Sequence, residues 1–197
     1  RIYQYNNNSW SQLGADIDGE AAGDQSGSSV SLSSDGSRVV IGATGNDAGN
    51  ASSDNRGHVR IYDYNGSAWV QVGADIDGEA AGDYSGSSVS ISSDGSRVAI
   101  GARENDGNGS SSGHVRIYDY DGSSWVKVGV DIDGEAAGDK SGYSVSLSSD
   151  GSKIAIGAPY NKSRYNRTNA GHTRIYSISG GESYQYTWDV DSGSIPP

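Results

Sequence analysis

The chain has no cysteine, no methionine and no phenylalanine, and only three prolines. Without cysteine there is no disulfide to staple a small core and no sign of redox compartment. Basic residues are scarce: 14 Lys and Arg stand against 25 Asp and Glu, a net charge of −11. Nucleic acid and anionic membrane surfaces select a basic footprint, so both are disfavoured as partners. No run of about 20 apolar residues occurs, as a membrane-spanning helix needs. No signal-peptide pattern is seen and residue 1 is Arg, so the chain reads as a processed product or a segment of a longer one. Only 33% of the residues are hydrophobic, a level that suits disorder. Against disorder stand the short apolar runs "VVIGA" (39–43), "VAIGA" (98–102) and "IAIGA" (154–158), each bounded by turn residues like a buried strand. With no Phe or Met, the core must be Val, Ile, Tyr and Trp.

What is present is a repeat. "RIYQYNNNSW" at residue 1 returns as "RIYDYNGSAW" at 60 and "RIYDYDGSSW" at 116, with a decayed "RIYSISGGES" at 174. The period of 56 to 59 residues suits a four-stranded unit with one long loop. Within a unit, "SGSSVSLSS" (26–34) alternates as a half-buried strand does. Asp35-Gly36 then forms a tight turn. "SRVVIGA" (37–43) is a second strand, a variable loop covers 44–56, and "GHVRIYDY" (57–64) is a third. Asn65-Gly66 makes another turn before a fourth strand, "SAWVQVG" (67–73). With these strands named a to d, the chain reads c-d, a-b-c-d, a-b-c-d, a-b-c and a tail. No segment has helical periodicity. One such sheet cannot bury both faces, so units must stack. The expected fold is all-β: a β-propeller-type array of about three and a half four-stranded antiparallel blades over 1–179, joined near 24, 83 and 139. A β-solenoid is the alternative. Antiparallel geometry puts the a–b and c–d turns on one face, and the b–c loops and d–a links on the other.

The d–a links carry the same nine residues three times, "DIDGEAAGD". Their carboxylates are Asp16, Asp18, Glu20 and Asp24; Asp75, Asp77, Glu79 and Asp83; and Asp131, Asp133, Glu135 and Asp139. Such oxygens suit Ca²⁺, which takes six to eight. They equally suit a turn in which Asp side chains accept backbone N–H groups, or pairing with the repeated Arg60, Arg116 and Arg174 or Arg38, Arg97 and Lys153. Both readings stay open. His58, His114 and His172 recur behind a Gly in strand c, which points to packing rather than catalysis. No Gly-x-Ser-x-Gly elbow, zinc spacing or phosphate loop occurs, so no catalytic residue is expected. Trp10, Trp69 and Trp125 share one place in strand d and are expected to pack between blades. Sequons stand at Asn7, Asn50, Asn65, Asn108, Asn161 and Asn166. Asn50, Asn108, Asn161 and Asn166 fall in b–c loops, where a glycan is expected to be exposed, and substitution of Asn108 is expected to cost within about ±0.5 kcal/mol.

The stretch "SGYSVSLSSDGSKIAIGAPYN…GHTRIY" (141–176) resembles the FG-GAP repeats of integrin-α-like β-propellers. Gly142, Ser144 and Val145 match the start of that motif, and Gly157, Ala158 and Pro159 its end. Ser26, Ser85 and Ser141 stand where the family usually has Phe, and Thr44 and Arg103 replace the Pro in two units. The resemblance implies an extracellular propeller. It does not bring the family's calcium loop, because the a–b hairpin here is only "SSDGS". The tail "YQYTWDVDSGSIPP" (184–197) resembles the opening of an immunoglobulin-like domain of large bacterial surface proteins, which puts 180–197 outside the blades and leaves the last unit without strand d. The expected function is a non-enzymatic structural or adhesive module of a larger surface or matrix protein, with a protein or glycan partner. The alternatives are a lectin-like propeller and a self-assembling subunit of a filament or ring, paired through exposed strand edges.

Overall fold

The computed structural model describes residues 1–47, 54–162, 168–178 and 185–189. Among them every regular element is a strand. The chain opens with a hairpin of β1 (Tyr3–Asn6) and β2 (Ser9–Gln12). A first full sheet follows, in the order β3 (Ser26–Leu32), β4 (Arg38–Ala43), β5 (His58–Tyr64), β6 (Trp69–Gln71), with β7 (Ile76–Asp77) also on β5. The second repeats it with β8 (Ser85–Ile91), β9 (Arg97–Ala102), β10 (His114–Tyr120), β11 (Trp125–Lys127) and β12 (Ile132–Asp133). The third is β13 (Ser144–Leu147), β14 (Lys153–Ala158), β15 (His172–Ser177) and β16 (Gln185–Asp189). All pairings between these strands are antiparallel. This is the expected all-β array of four-stranded blades.

Two details differ from the sequence reading. Strand d is broken: β6 covers the end of β5, the chain leaves the ladder, and β7 returns as Val59↔Ile76 and His58↔Asp77. The "DID" of the acidic motif is therefore partly strand. The second difference is the tail. Gln185–Asp189 pairs with β15 and supplies the fourth strand of the last sheet, with a register shift between Ile175 and Tyr176.

The apolar runs of strand b are continuous because both faces of the strand are covered. Val40 joins Val59, Ile61 and Ile76 of its own blade and Val89, Ile91, Val98 and Ile100 of the next. Its neighbours Val39 and Ile41 point the other way, with Tyr62 and the partly buried Ile2, Ile17 and Trp69. A second interblade core holds Val115, Ile117, Ile132, Ile154 and Ile156. Blades meet so closely that a Cβ on Gly42 would overlap the carbonyl of Gly86, and one on Gly101 that of Gly142. Polar contacts fix the stacking. Ser29 Oγ donates to Gly86 O at 2.7 Å, and Ser88 Oγ to Gly142 O at 2.7 Å. Arg38 makes a forked pair with Asp63 (2.6 and 2.7 Å) across its own sheet and donates to Gly95 O of the next blade at 2.8 Å. Arg97 repeats this with Asp119 and Gly151.

Candidate functional site

The acidic links lie against the b–c loops, as antiparallel geometry requires. Gly78 N donates to Gly57 O, Gly82 N to Asp54 O and Gly138 N to Ser110 O. Within a link the four carboxylates part company. The last one turns inward: Asp24, Asp83 and Asp139 are 4%, 4% and 3% exposed. Each accepts a backbone N–H three residues back, from Ala21, Ala80 and Ala136 at 2.9 to 3.1 Å. Each also accepts from a buried amide at the start of the b–c loop: Asn46 at 3.3 Å, Asn105 at 3.0 Å and Asn161 at 2.7 Å. This pair of bonds ties link to loop. A buried carboxylate so satisfied is a turn-forming group, and its displacement would strand a buried amide.

The first Asp and the Glu face strand c. Glu20, from one link, approaches His58 Nδ1 at 3.8 Å and Arg60 Nη1 at 3.6 Å; Asp75, from the next link, approaches the same His58 nitrogen at 3.5 Å. The second unit repeats the group with Glu79, His114, Arg116 and Asp131. In the third, Glu135 pairs with Arg174 at 2.5 Å and lies 3.6 Å from His172. Arg1 and Asp16 are the counterpart beside the first hairpin, paired at 2.8 Å. Burial holds the His114 pKa below the ordinary histidine value, against the pull of Asp131, Asp83 and Asp133. Burial works to raise Asp131, but the Lys127 hydrogen bond and the charge of Arg116 outweigh it and keep its carboxyl below the usual range. Asp18, Asp77 and Asp133 are exposed.

Among the described residues, the groups that place three or more ligand atoms within reach of one ion are Glu20, His58 and Asp75, and Glu79, His114 and Asp131. Each takes its Glu from one link and its Asp from the next. Sequence reading grouped four acids from a single link; the structure instead gathers acids of consecutive links around a histidine. The histidine was legible as a recurring residue, but its carboxylate partners are 17 to 38 residues away and follow only from blade stacking.

The sequons separate equally clearly. Asn50 and Asn166 lie outside the described residues. Asn7 and Asn65 are exposed at c–d turns. Asn161 was expected to be exposed, but it is 5% exposed and its amide nitrogen is bound to Asp139. Asn108 is exposed, yet its amide nitrogen donates to both Gly134 O (2.8 Å) and Glu135 O (3.0 Å), so the loop residue expected to be neutral clasps the following link. Trp69 and Trp125 lie between blades: their Nε1–H groups donate to Leu13 O and Val72 O of the preceding strand d, at 2.8 and 3.0 Å. Trp10 is exposed.

A second feature of the loop face consists of residues at which the units differ. Gln25, Tyr84 and Lys140 are equivalent; so are Ser28, Ser87 and Tyr143; Thr44, Arg103 and Pro159; and Gly45, Glu104 and Tyr160. Across the second and third blades these positions converge. Arg103 lies over the rings of Tyr84 (5.8 Å) and Tyr143 (5.7 Å), and Lys140 over Tyr160 (5.5 Å). Lys140 also binds Glu104 at 2.6 Å, and Tyr143 meets Tyr160 edge to face at 6.2 Å. Tyr143 and Tyr160 are 45% and 41% exposed.

Stacked four-stranded antiparallel blades define a β-propeller-type fold, and comparison with known proteins agrees. The sequence profile of the FG-GAP repeat family matches residues 74–118, from the second acidic link into strand c. No curated protein sequence matches the chain. Among solved structures, a protein of Bacteroides uniformis named as a candidate 6-phosphogluconolactonase is similar with a TM-score of 0.52 and 13% identity, over 82% of this chain and 40% of that one. The β-propeller domain of Cps50 (Swd1) from Myceliophteria thermophila is similar with a TM-score of 0.50 and 12% identity, over 84% of this chain and 39% of its own. At such identity the likeness is one of fold. The chain spans about two fifths of the length of these structures. The resemblance of residues 184–197 to an immunoglobulin-like domain is not supported. Among the described residues no helix is long and apolar enough to cross a membrane.

Proposed function

We propose that the chain is a non-enzymatic recognition module of an extracellular surface or matrix protein, and that it binds its partner through the loop face of its blades. One observation carries this reading. What repeats between units is architecture: the Arg38 and Arg97 clamps, the interblade tryptophans and the buried link aspartates. Four sets of positions at which the units differ converge on one partly exposed patch of Tyr84, Arg103, Glu104, Lys140, Tyr143 and Tyr160. Rigid scaffolds commonly carry function on such loops, and Tyr and Arg are the side chains most often found at the centre of binding surfaces. The FG-GAP match supports the extracellular setting by analogy.

The exposed tyrosines also favour the lectin-like reading, since aromatic faces stack on sugars. Binding to immobilised matrix proteins and to a glycan array, with Arg103→Ala and Tyr143→Ala beside Tyr5→Ala, tests both. Loss with the first two and retention with the third supports the patch, and the array separates glycan from protein. Binding untouched by all three would remove it. Self-association has its own support. Val30 and Leu32, 63% and 51% exposed, line a cavity with Ile2, Ile17, Val39 and Ile41, whereas the equivalent Val89 and Ile91 are buried by a neighbouring blade. Calcium at the acidic links is retained as a proposal. Melting curves with calcium and with chelator should separate, because a ligand of the folded state raises its stability; superimposable curves would remove it.

A further inference from the structure

We propose that Glu20, His58 and Asp75 form a single site for a borderline divalent metal ion of the Zn²⁺ type, which the sister group Glu79, His114 and Asp131 does not reproduce. The proposal goes beyond the binding role above and does not depend on it. The donor atoms are Glu20 Oε2, His58 Nδ1 and Asp75 Oδ2, which lie within 4.8 Å of one another, with the imidazole nitrogen 3.8 and 3.5 Å from the two oxygens. Tetrahedral zinc with bonds of about 2.0–2.2 Å sets its ligand atoms about 3.3 Å apart, so only a small closure is needed. Three protein ligands with room for water is a known zinc arrangement. Calcium prefers six to eight oxygens, and an imidazole ligand argues against it.

Two further observations point to a ligand. His58 is 1% exposed, and its Nε2 is buried with no hydrogen-bond partner. The ring's polar neighbours in the group are the two carboxylates that Nδ1 faces, and an ion there takes the Nδ1 lone pair and leaves the ring proton on Nε2, so packing alone orients the ring. Second, each carboxylate has its far oxygen anchored and its near oxygen turned inward. Asp75 Oδ1 accepts from Gln71 Nε2 at 2.5 Å, and Glu20 Oε1 faces Arg60 Nη1, which leaves Asp75 Oδ2 and Glu20 Oε2 for the ion. Such outer contacts orient metal ligands. Glu20 is half exposed and provides a route in from solvent.

The sister group has the same ligands but different surroundings. Asp131 gives both oxygens to cations: Oδ1 to Arg116 Nε (3.1 Å) and Lys127 Nζ (2.7 Å), and Oδ2 to Arg116 Nη2 (3.0 Å). Arg116 also holds Glu79. A divalent ion there would have to break these pairs beside two positive charges. The sequence difference is Gln71 against Lys127, at the same place in strand d. A bound ion would staple two consecutive links to one strand c.

The test is calorimetric titration of the 197-residue chain with Zn²⁺ and, separately, Ca²⁺, with thermal melts alongside. The expected result is one Zn²⁺ per chain and a raised melting temperature. His58→Ala should abolish both, while His114→Ala should leave both in place. Gln71→Lys gives the first unit the residue the second already carries, so it should fold, and it should weaken Zn²⁺ by about 10- to 100-fold. Ca²⁺ should give no heat that depends on His58. No zinc uptake, uptake unchanged by His58→Ala, or two equivalents lost one with each histidine would overturn the proposal.

Discussion

Gly73 and Trp125 form the contact on which one blade seats the next. Gly73 has φ +74°, and a Cβ on it would sit 2.9 Å from Trp125 Cδ1. The indole N–H donates to Val72 O one residue earlier. Gly73→Ala would therefore combine left-handed backbone strain, about 1–2 kcal/mol, with a clash against a ring that is held in place. Chemical denaturation should show a loss clearly larger than that of Gly66→Ala, where φ is also positive but nothing lies within 4 Å. Equal losses would mean that the ring is not seated there. The tryptophan was legible in the sequence as a packing residue, but its partner carbonyl lies 53 residues away and was not. Charge gives a second residue-scale prediction. Backbone and side-chain hydrogen bonds from Ser37 and Ser33 hold the Asp35 pKa at about 2, and those from Ser124 and Ser123 hold Asp121 at about 2. Carboxyls lowered in the folded state contribute stability above their unfolded value of about 3.9 and lose it as pH falls towards 2. His114, lowered by burial, acts at higher pH. The unfolded chain binds its proton first, so stability falls as pH drops below about 6.5. Stability measured against pH should therefore decline in two stages, and His114→Gln should remove part of the upper one. A flat profile between pH 7 and 5 would contradict this account.

At the scale of the element, strand b was the most legible part of the chain. Its apolar run states that both faces are covered, and Ile100 is 2% exposed between two blades. Ile100→Ala should cost about 2–5 kcal/mol. Asn108→Ala should cost about 1 kcal/mol rather than nothing, because its amide holds the carbonyls of Gly134 and Glu135. Urea unfolding of the two variants measures both, and an Ile100 loss no larger than that at Asn108 would place strand b wrongly. Strand d was less legible. Gly73 marks its end, but the return of Ile76–Asp77 to β5 has no local signature in the sequence. The last strand was missed for a different reason. Gln185–Asp189 lacks the "SxW" pattern that marks β6 and β11, so only its pairing with β15 reveals it.

Across the whole molecule, the period and the hairpin turns were enough to give stacked blades and to place loops and links on one face. They could not give the sorting of the acidic motif, because that depends on which blade lies beside which. In the folded chain the motif does two things at once. Its first Asp and its Glu face the charged residues of strand c, as Asp75 and Glu20 do at His58. Its last Asp turns inward and ties link to loop in all three units through Asn46, Asn105 and Asn161. That inward tie gives the last Asp of the motif an architectural reason to recur in all three links. The direct measurement is equilibrium urea unfolding of Asp24→Ala, Asp83→Ala and Asp139→Ala, with a double-mutant cycle of Asp83 and Asn105. Each single change should cost about 1–3 kcal/mol, and Asp83 and Asn105 should couple by about 0.5–3 kcal/mol. Unfolding curves that superimpose on the parent, or strictly additive losses at Asp83 and Asn105, would contradict the inward tie.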